Sequence, residues 1–175
     1  MPLIKDGQIV EDAWRVLEDG EALPESGDVI VPLERLKDEA DAIRARSGRT
    51  GVALANTDEP DEVQPYLADL DVIALHFPAF TDGRAYSQAR QLRTSLGYKG
   101  ELRATGNVLA DQAAFLARVG FDSFEVDSTQ SIDVWNQALR SMSVAYQRGY
   151  DGDQTTRYQA PSSSASPAAQ DTART

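Results

Sequence analysis

The chain contains no cysteine and a single histidine, His76, in 175 residues. The first absence excludes disulfides, thiol nucleophiles, thiolate zinc sites and a cysteine-ligated iron–sulfur cluster on this chain. The second excludes a multi-histidine metal site within one chain. A carboxylate-held metal stays open, although no EF-hand-like loop occurs. No apolar run approaches the roughly 18 residues of a membrane span. The opening stretch, MPLIKDGQIVEDAW, lacks the apolar core of an export signal. A cytoplasmic protein without membrane contact is therefore expected. Nucleotide fingerprints are missing too: Gly83, Gly97, Gly100 and Gly106 form neither GxGxxG nor a Walker A loop, and there is no Gly-x-Ser-x-Gly elbow.

Positive charge is scarce. The formal net charge is −11, and residues 1–80 carry 18 acidic against 7 basic side chains. Phosphate repulsion makes nucleic acid an unfavourable partner for such a chain. The acidic half serves either as a solubilising surface or to steer a basic partner. A hydrophobic fraction of 41% is that of a globular domain.

What is present is an alternation. Ile4 and Ile9-Val10 flank Asp6-Gly7, a pair suited to the positive φ of a tight hairpin. Trp14, Val16 and Leu17 continue as a further extended piece, and Gly20 to Gly27 reads as a loop. Short apolar runs then recur at Val29–Val31, Val52–Ala55, Val72–Leu75, Glu101–Thr105 and Phe121–Val126. Each is followed by apolar residues at helical spacing: Leu33 to Ile43, Val63 to Leu70, Ala85 to Leu96, Leu109 to Val119, and Trp135 to Tyr146. Thr57 or Asp58, Asn107 and Ser131 stand where helix N-caps are expected.

A hairpin followed by five strand–helix units predicts an α/β fold with a five-unit parallel sheet, either open or a partial barrel. Residues 1–150 would form one domain. Residues 151–175, rich in Ser, Thr, Ala, Gln and Pro, have too little apolar surface to offset ordering entropy and are expected to be a disordered tail.

Parallel α/β sheets bind ligands beyond the carboxyl ends of their strands. The alternation places Asn56-Thr57-Asp58, His76-Phe77-Pro78, Thr105-Gly106-Asn107, and Glu125 with Asp127 along that edge. His76 is the side-chain type that changes charge near neutral pH and is a candidate acid–base group or anion contact, with Glu125 to orient it. The alternative is a strand-end histidine satisfied by backbone. Arg84, Tyr86, Arg90 and Arg93 open the third helix, the last three on roughly one face, and with Arg103 and Asn107 they are candidates for binding an anion or an acidic partner. The alternative is a solvated amphipathic face. Arg103, mid-strand, faces either solvent or a polar pocket.

The string Gly83-Arg-Ala-Tyr-Ser-Gln-Ala-Arg90, running on through Leu92-Arg93 to Ala104, resembles a bacterial family of uncharacterised proteins. Gly106 to Gln112 and Gly120 to Glu125 share the likeness, as do Pro2-Leu3-Ile4 and His76-Phe77-Pro78. It spans roughly residues 3–150. Members are commonly encoded beside an assimilatory sulfite reductase and carry the loose label of an oxidoreductase of sulfite reduction. The resemblance implies sulfur assimilation but supplies no catalytic residues and no cofactor. Three functions follow as expectations: an accessory protein binding sulfite reductase or its electron donor, a small enzyme acting on an oxyanion or phosphorylated ligand, or a flavin-binding redox protein. An oxidoreductase needs an electron-carrying cofactor, and which one this would be is unknown from sequence.

Overall fold

The computed structural model describes residues 2–127 and 131–141, without the side chains of Arg140 and Ser141. The proposed tail lies outside the described residues, as do Met142, Tyr146 and Gly149, expected from the sequence to continue the last helix. The strands are β1 Leu3–Lys5, β2 Gln8–Val10, β3 Arg15–Val16, β4 Val29–Pro32, β5 Thr50–Leu54, β6 Val72–Phe77, β7 Glu101–Gly106 and β8 Ser123–Glu125. The α-helices are α1 Leu33–Asp38, α2 Ala40–Arg44, α3 Arg84–Thr94, α4 Ala113–Val119 and α5 Ile132–Ser141. Stretches Pro60–Asp69 and Ala110–Gln112 are 3₁₀-helical.

All eight strands form one sheet, in the order β2-β1-β8-β7-β6-β5-β4-β3. The five expected strands are mutually parallel neighbours in chain order. The expected five-unit sheet is nevertheless too small. The Arg15–Val16 piece adds a sixth parallel strand beside β4. The hairpin joins the same sheet, with β1 antiparallel to both β8 and β2. Asp6 (φ 51) and Gly7 (φ 71) make the hairpin turn as expected.

Strand order without reversal selects between the two expected closures. An open doubly wound sheet needs a switch point where the order turns back; this sheet has none and curls into a half-barrel. The chain length between β2 and β3 requires the curl. A flat eight-stranded sheet would hold its outer strands roughly 34 Å apart at about 4.8 Å per strand. From Val10 to Arg15 the chain reaches only about 18 Å. Val10 is level with Glu125 through Leu3, at the carboxyl end of the parallel strands, and Arg15 pairs with Val29 at the opposite end. Residues 11–14 therefore descend diagonally across the concave face.

The two faces of the sheet differ in side-chain size. The outer face carries Val29, Val31, Val52, Leu54, Ile73, Leu75, Leu102 and Phe124, packed with the helical residues Leu36, Ala89, Leu92, Leu116 and Trp135 in the main core. The concave face carries Ile30, Gly51, Ala53, Val72, Ala74, His76, Arg103 and Thr105, the alternate positions of the same strands. Ile30, Val72 and Ala74 form a second small cluster covered by Trp14. Trp14 is itself overlaid by the Arg49 guanidinium, 4.8 Å from the ring centre.

Several local expectations shift. The helix expected over Leu33 to Ile43 breaks at Glu39 (φ −113, ψ 20) into α1 and α2. The second helix is capped by Glu59 rather than by Thr57 or Asp58. It winds as 3₁₀ around Pro65, whose missing N–H cannot close an α-turn. The Asp58 carboxylate instead accepts the Ala55 N–H at 2.8 Å. Asn107 caps nothing: its own N–H donates to Phe77, and the next helical turn starts after Leu109. Ser131 does cap α5, its Oγ accepting the Asp133 N–H at 3.3 Å.

Candidate functional site

At the carboxyl ends of the parallel strands the half-barrel opens into a cavity of about 550 Å³. Its walls divide by strand. Val16, Ile30, Pro32, Leu33, Ala53 and Leu54, from β3 to β5 and the turn after β4, make one apolar side. His76, Arg103, Thr105 and Glu125, from β6 to β8, make a polar side with Asp12. Glu34 and Asp58 stand at the rim. The volume is that of a small-molecule site.

The floor is an ion network buried by the crossing segment. Arg103, only 2% exposed, donates from Nη1 to Asp12 Oδ2 at 2.8 Å. Its Nε and Nη2 donate to Glu101 Oε1 at 3.1 and 3.0 Å. Ser123 Oγ donates to the same oxygen at 2.7 Å, and Lys5 Nζ reaches Glu101 Oε2 at 2.7 Å. Burial pushes the Glu101 carboxyl up, but the hydrogen bonds from Lys5 and Ser123, with the Arg103 charge, outweigh it. The group titrates below its ordinary value. Arg103 therefore faces a polar pocket rather than solvent. Its charge is already shared with two carboxylates, Asp12 and Glu101.

His76 projects from β6 into the mouth and is exposed. Its ring lies over Gly106, where a built Cβ would come within 2.6 Å of the imidazole Cε1 and 2.4 Å of the Phe77 carbonyl. Gly106 has φ +84, a conformation that costs an L-residue about 1–2 kcal/mol. Gly106→Ala is expected to destabilise the fold by at least that amount and to displace the His76 ring. A urea midpoint together with the imidazole NMR resonances would check this; unchanged resonances would show that the glycine does not set the ring position. Glu125, half-buried on β8, shares the mouth. Neither His76 nor Glu125 has a protein partner among the described residues.

The structure thus brings together His76, Arg103 and Glu125 of the expected site residues. Arg84, Tyr86, Arg90, Arg93 and Asn107 lie outside the cavity lining. Arg84 is paired with Asp82 at 2.6 Å, and this bond holds the Asp82 carboxyl well below its ordinary value. Tyr86 packs its ring against Phe77 and Phe115 at 5.2 and 4.9 Å, and burial raises its hydroxyl pKa. Arg90 is exposed. Arg93 is buried, donating to the carbonyls of Gly120, Tyr98 and Gly100 and to the Asp122 carboxylate. The single basic face expected for Tyr86, Arg90 and Arg93 is therefore split three ways. These three positions straddle the margin of the helix's buried face, so small angular differences separate core from solvent.

Asp12 and the apolar wall are not among the residues that the strand alternation points to. The small residues Gly51, Ala53 and Ala74, alternating with large Val52, Leu54, Ile73 and Leu75, are the sequence signal for the concave wall. Asp12 carries no such signal. Among the described residues no group of three or more His, Asp or Glu side chains is placed to hold a metal ion, and no helix is long and apolar enough to cross a membrane.

The model of a family described as bacterial protein of unknown function (DUF934) matches residues 51–157. No curated protein matches the chain.

Proposed function

Since the chain belongs to this bacterial family of unknown function, we propose that it is an accessory protein of assimilatory sulfite reduction that holds a small organic ligand in the mouth of its half-barrel. The observation that carries the ligand-holding part is the cavity of about 550 Å³, where His76 and Glu125 stand opposite an apolar wall without protein partners among the described residues. Such convergence of a few polar groups on an apolar hollow is what small-molecule sites provide. The pathway rests on the likeness carried by the GRAYSQARQLR string, residues 83–93.

That string forms α3 with its preceding turn, on the outside of the sheet. Beside it Phe80 and Phe115 are 52% and 46% exposed, with Tyr86 against Phe115. Exposed aromatic surface of this kind is what a protein partner covers. It suits docking on sulfite reductase or its electron donor. The reading as an enzyme acting on an oxyanion or a phosphorylated ligand is less favoured, as is uptake of a flavin through its phosphate. The mouth presents four carboxylates, Asp12, Glu34, Asp58 and Glu125, against the single permanent cation Arg103.

Deletion of the gene is expected to slow growth on sulfate as sole sulfur source and to spare growth on cysteine. Tagged wild-type protein should co-purify with sulfite reductase or its electron donor, and the Phe80→Asp, Phe115→Asp double variant should lose at least about tenfold of that recovery, the scale of a lost aromatic anchor. Normal growth on sulfate together with no co-purification would remove the proposal.

A further inference from the structure

We propose that the ligand of the half-barrel mouth is an organic cation with an apolar body, rather than an inorganic or phosphorylated anion; this rests on the reading of the mouth as a small-molecule site. The cavity is polarised along the sheet. Strands β3 to β5 present Val16, Ile30 and Ala53, which offer no polar side-chain atom. Strands β6 to β8 present His76, Thr105 and Glu125 at the opposite wall. A guest that satisfies both walls has an apolar body at one end and a polar head at the other.

The sign of the head follows from which charges are already spent. The Arg103 charge is paired with both Asp12 and Glu101, at 2.8 and 3.0 Å. Glu34, at the rim, is paired with Lys37 at 2.9 Å. Asp58 accepts one backbone N–H. Glu125 has no partner among the described residues. The charge left over is therefore negative. Glu125 offers an ionised acceptor, which bonds a cationic or N–H-rich head more strongly than a neutral one. An oxyanion would meet that carboxylate with no uncommitted guanidinium to offset it. It would also leave the apolar wall empty, since an inorganic ion fills only a small part of about 550 Å³. Across the cavity, His76 and Thr105 supply side-chain hydrogen-bonding groups on neighbouring strands, His76 pairing in register with Thr105.

The test uses the full chain, ¹⁵N-labelled, titrated with three probes: phenethylamine, its anionic near-isostere 3-phenylpropionate, and sodium sulfite. Phenethylamine is expected to shift the amides of Ala53, Ala74 and Thr105 and the His76 ring. It should bind about tenfold or more tighter than either anion, one ion pair's worth of preference in a partly desolvated site. Glu125→Gln keeps the shape and removes the charge, and is expected to abolish the preference. Added salt should weaken the preference in the wild type. If 3-phenylpropionate or sulfite moves the same amides at equal or lower concentration, the inference is overturned and the small-molecule reading stands. A preference that survives Glu125→Gln also overturns the inference. If none of the probes moves any mouth amide, both fall.

Discussion

Replacing Arg103 by methionine is expected to cost about 3–5 kcal/mol of stability, the scale for removing one partner of a buried ion network. Methionine approximates the length of the arginine stem, so the loss is electrostatic and not chiefly a cavity. It strips Asp12 of its cation and takes three N–H donors in all from Asp12 and Glu101. It also releases the one side-chain tie between the crossing segment and β7. The measurement is the urea midpoint at constant slope. The pH dependence carries a second signature. Glu101 titrates below its ordinary value of 4.5, so its contribution to stability is complete above that pH and is lost as pH falls through the lowered value. Without Arg103, burial is opposed by fewer hydrogen bonds, the carboxyl rises, and acid unfolding of the variant should begin at a higher pH than in the wild type. Adding Asp12→Asn and Glu101→Gln to Arg103→Met should recover part of the stability, because no buried charge is then left alone. An Arg103→Met protein with an unchanged midpoint would show that the floor of the half-barrel is held by packing alone.

Arg93→Met is expected to destabilise by a similar amount, about 3–5 kcal/mol, through a different cause. Arg93 is 4% exposed and spans the turn after α3 and the turn before β8. Its Nη1 donates to Tyr98 and Gly100 at 2.9 and 2.8 Å, and its Nε and Nη2 donate to Gly120 at 3.0 and 2.8 Å. Nη2 also reaches Asp122, whose carboxylate accepts the Leu102 N–H. Deleting the guanidinium strands three buried or half-buried carbonyls at once, each an unsatisfied group costing about 1–3 kcal/mol. Lysine is a poor substitute, since one ammonium cannot reach both turns with a planar fork. Arg93→Lys should therefore recover less than half of the loss. Recovery to wild-type stability by lysine would mean that charge, and not the fork, is what the site requires.

These two arginines have roles that chain order does not reveal. Arg90, Arg93 and Arg103 stand close along the chain and read there as members of one set of candidates for binding an anion or an acidic partner. In the fold, Arg90 faces solvent, Arg93 pins backbone turns, and Arg103 seals the barrel floor. An arginine's role depends on what stands opposite it, and for Arg103 that includes a carboxylate 91 positions away. The crossing segment was legible only as an extended piece near Trp14. Its path over the concave face is a consequence of sheet closure, which no local pattern encodes.

From the sequence alone came the parallel alternation, the hairpin turned by Asp6-Gly7, and the placing of His76, Thr105 and Glu125 at the strand exits. Each of these is a short-range property: a two-residue or helical period, or the positive φ that a turn demands. The tertiary structure alone decided the eight-stranded curl, the burial of Arg93 and Arg103, and the sign of the charge left in the mouth. Those depend on contacts between residues distant along the chain, where the balance of desolvation and pairing is settled only once the partners meet.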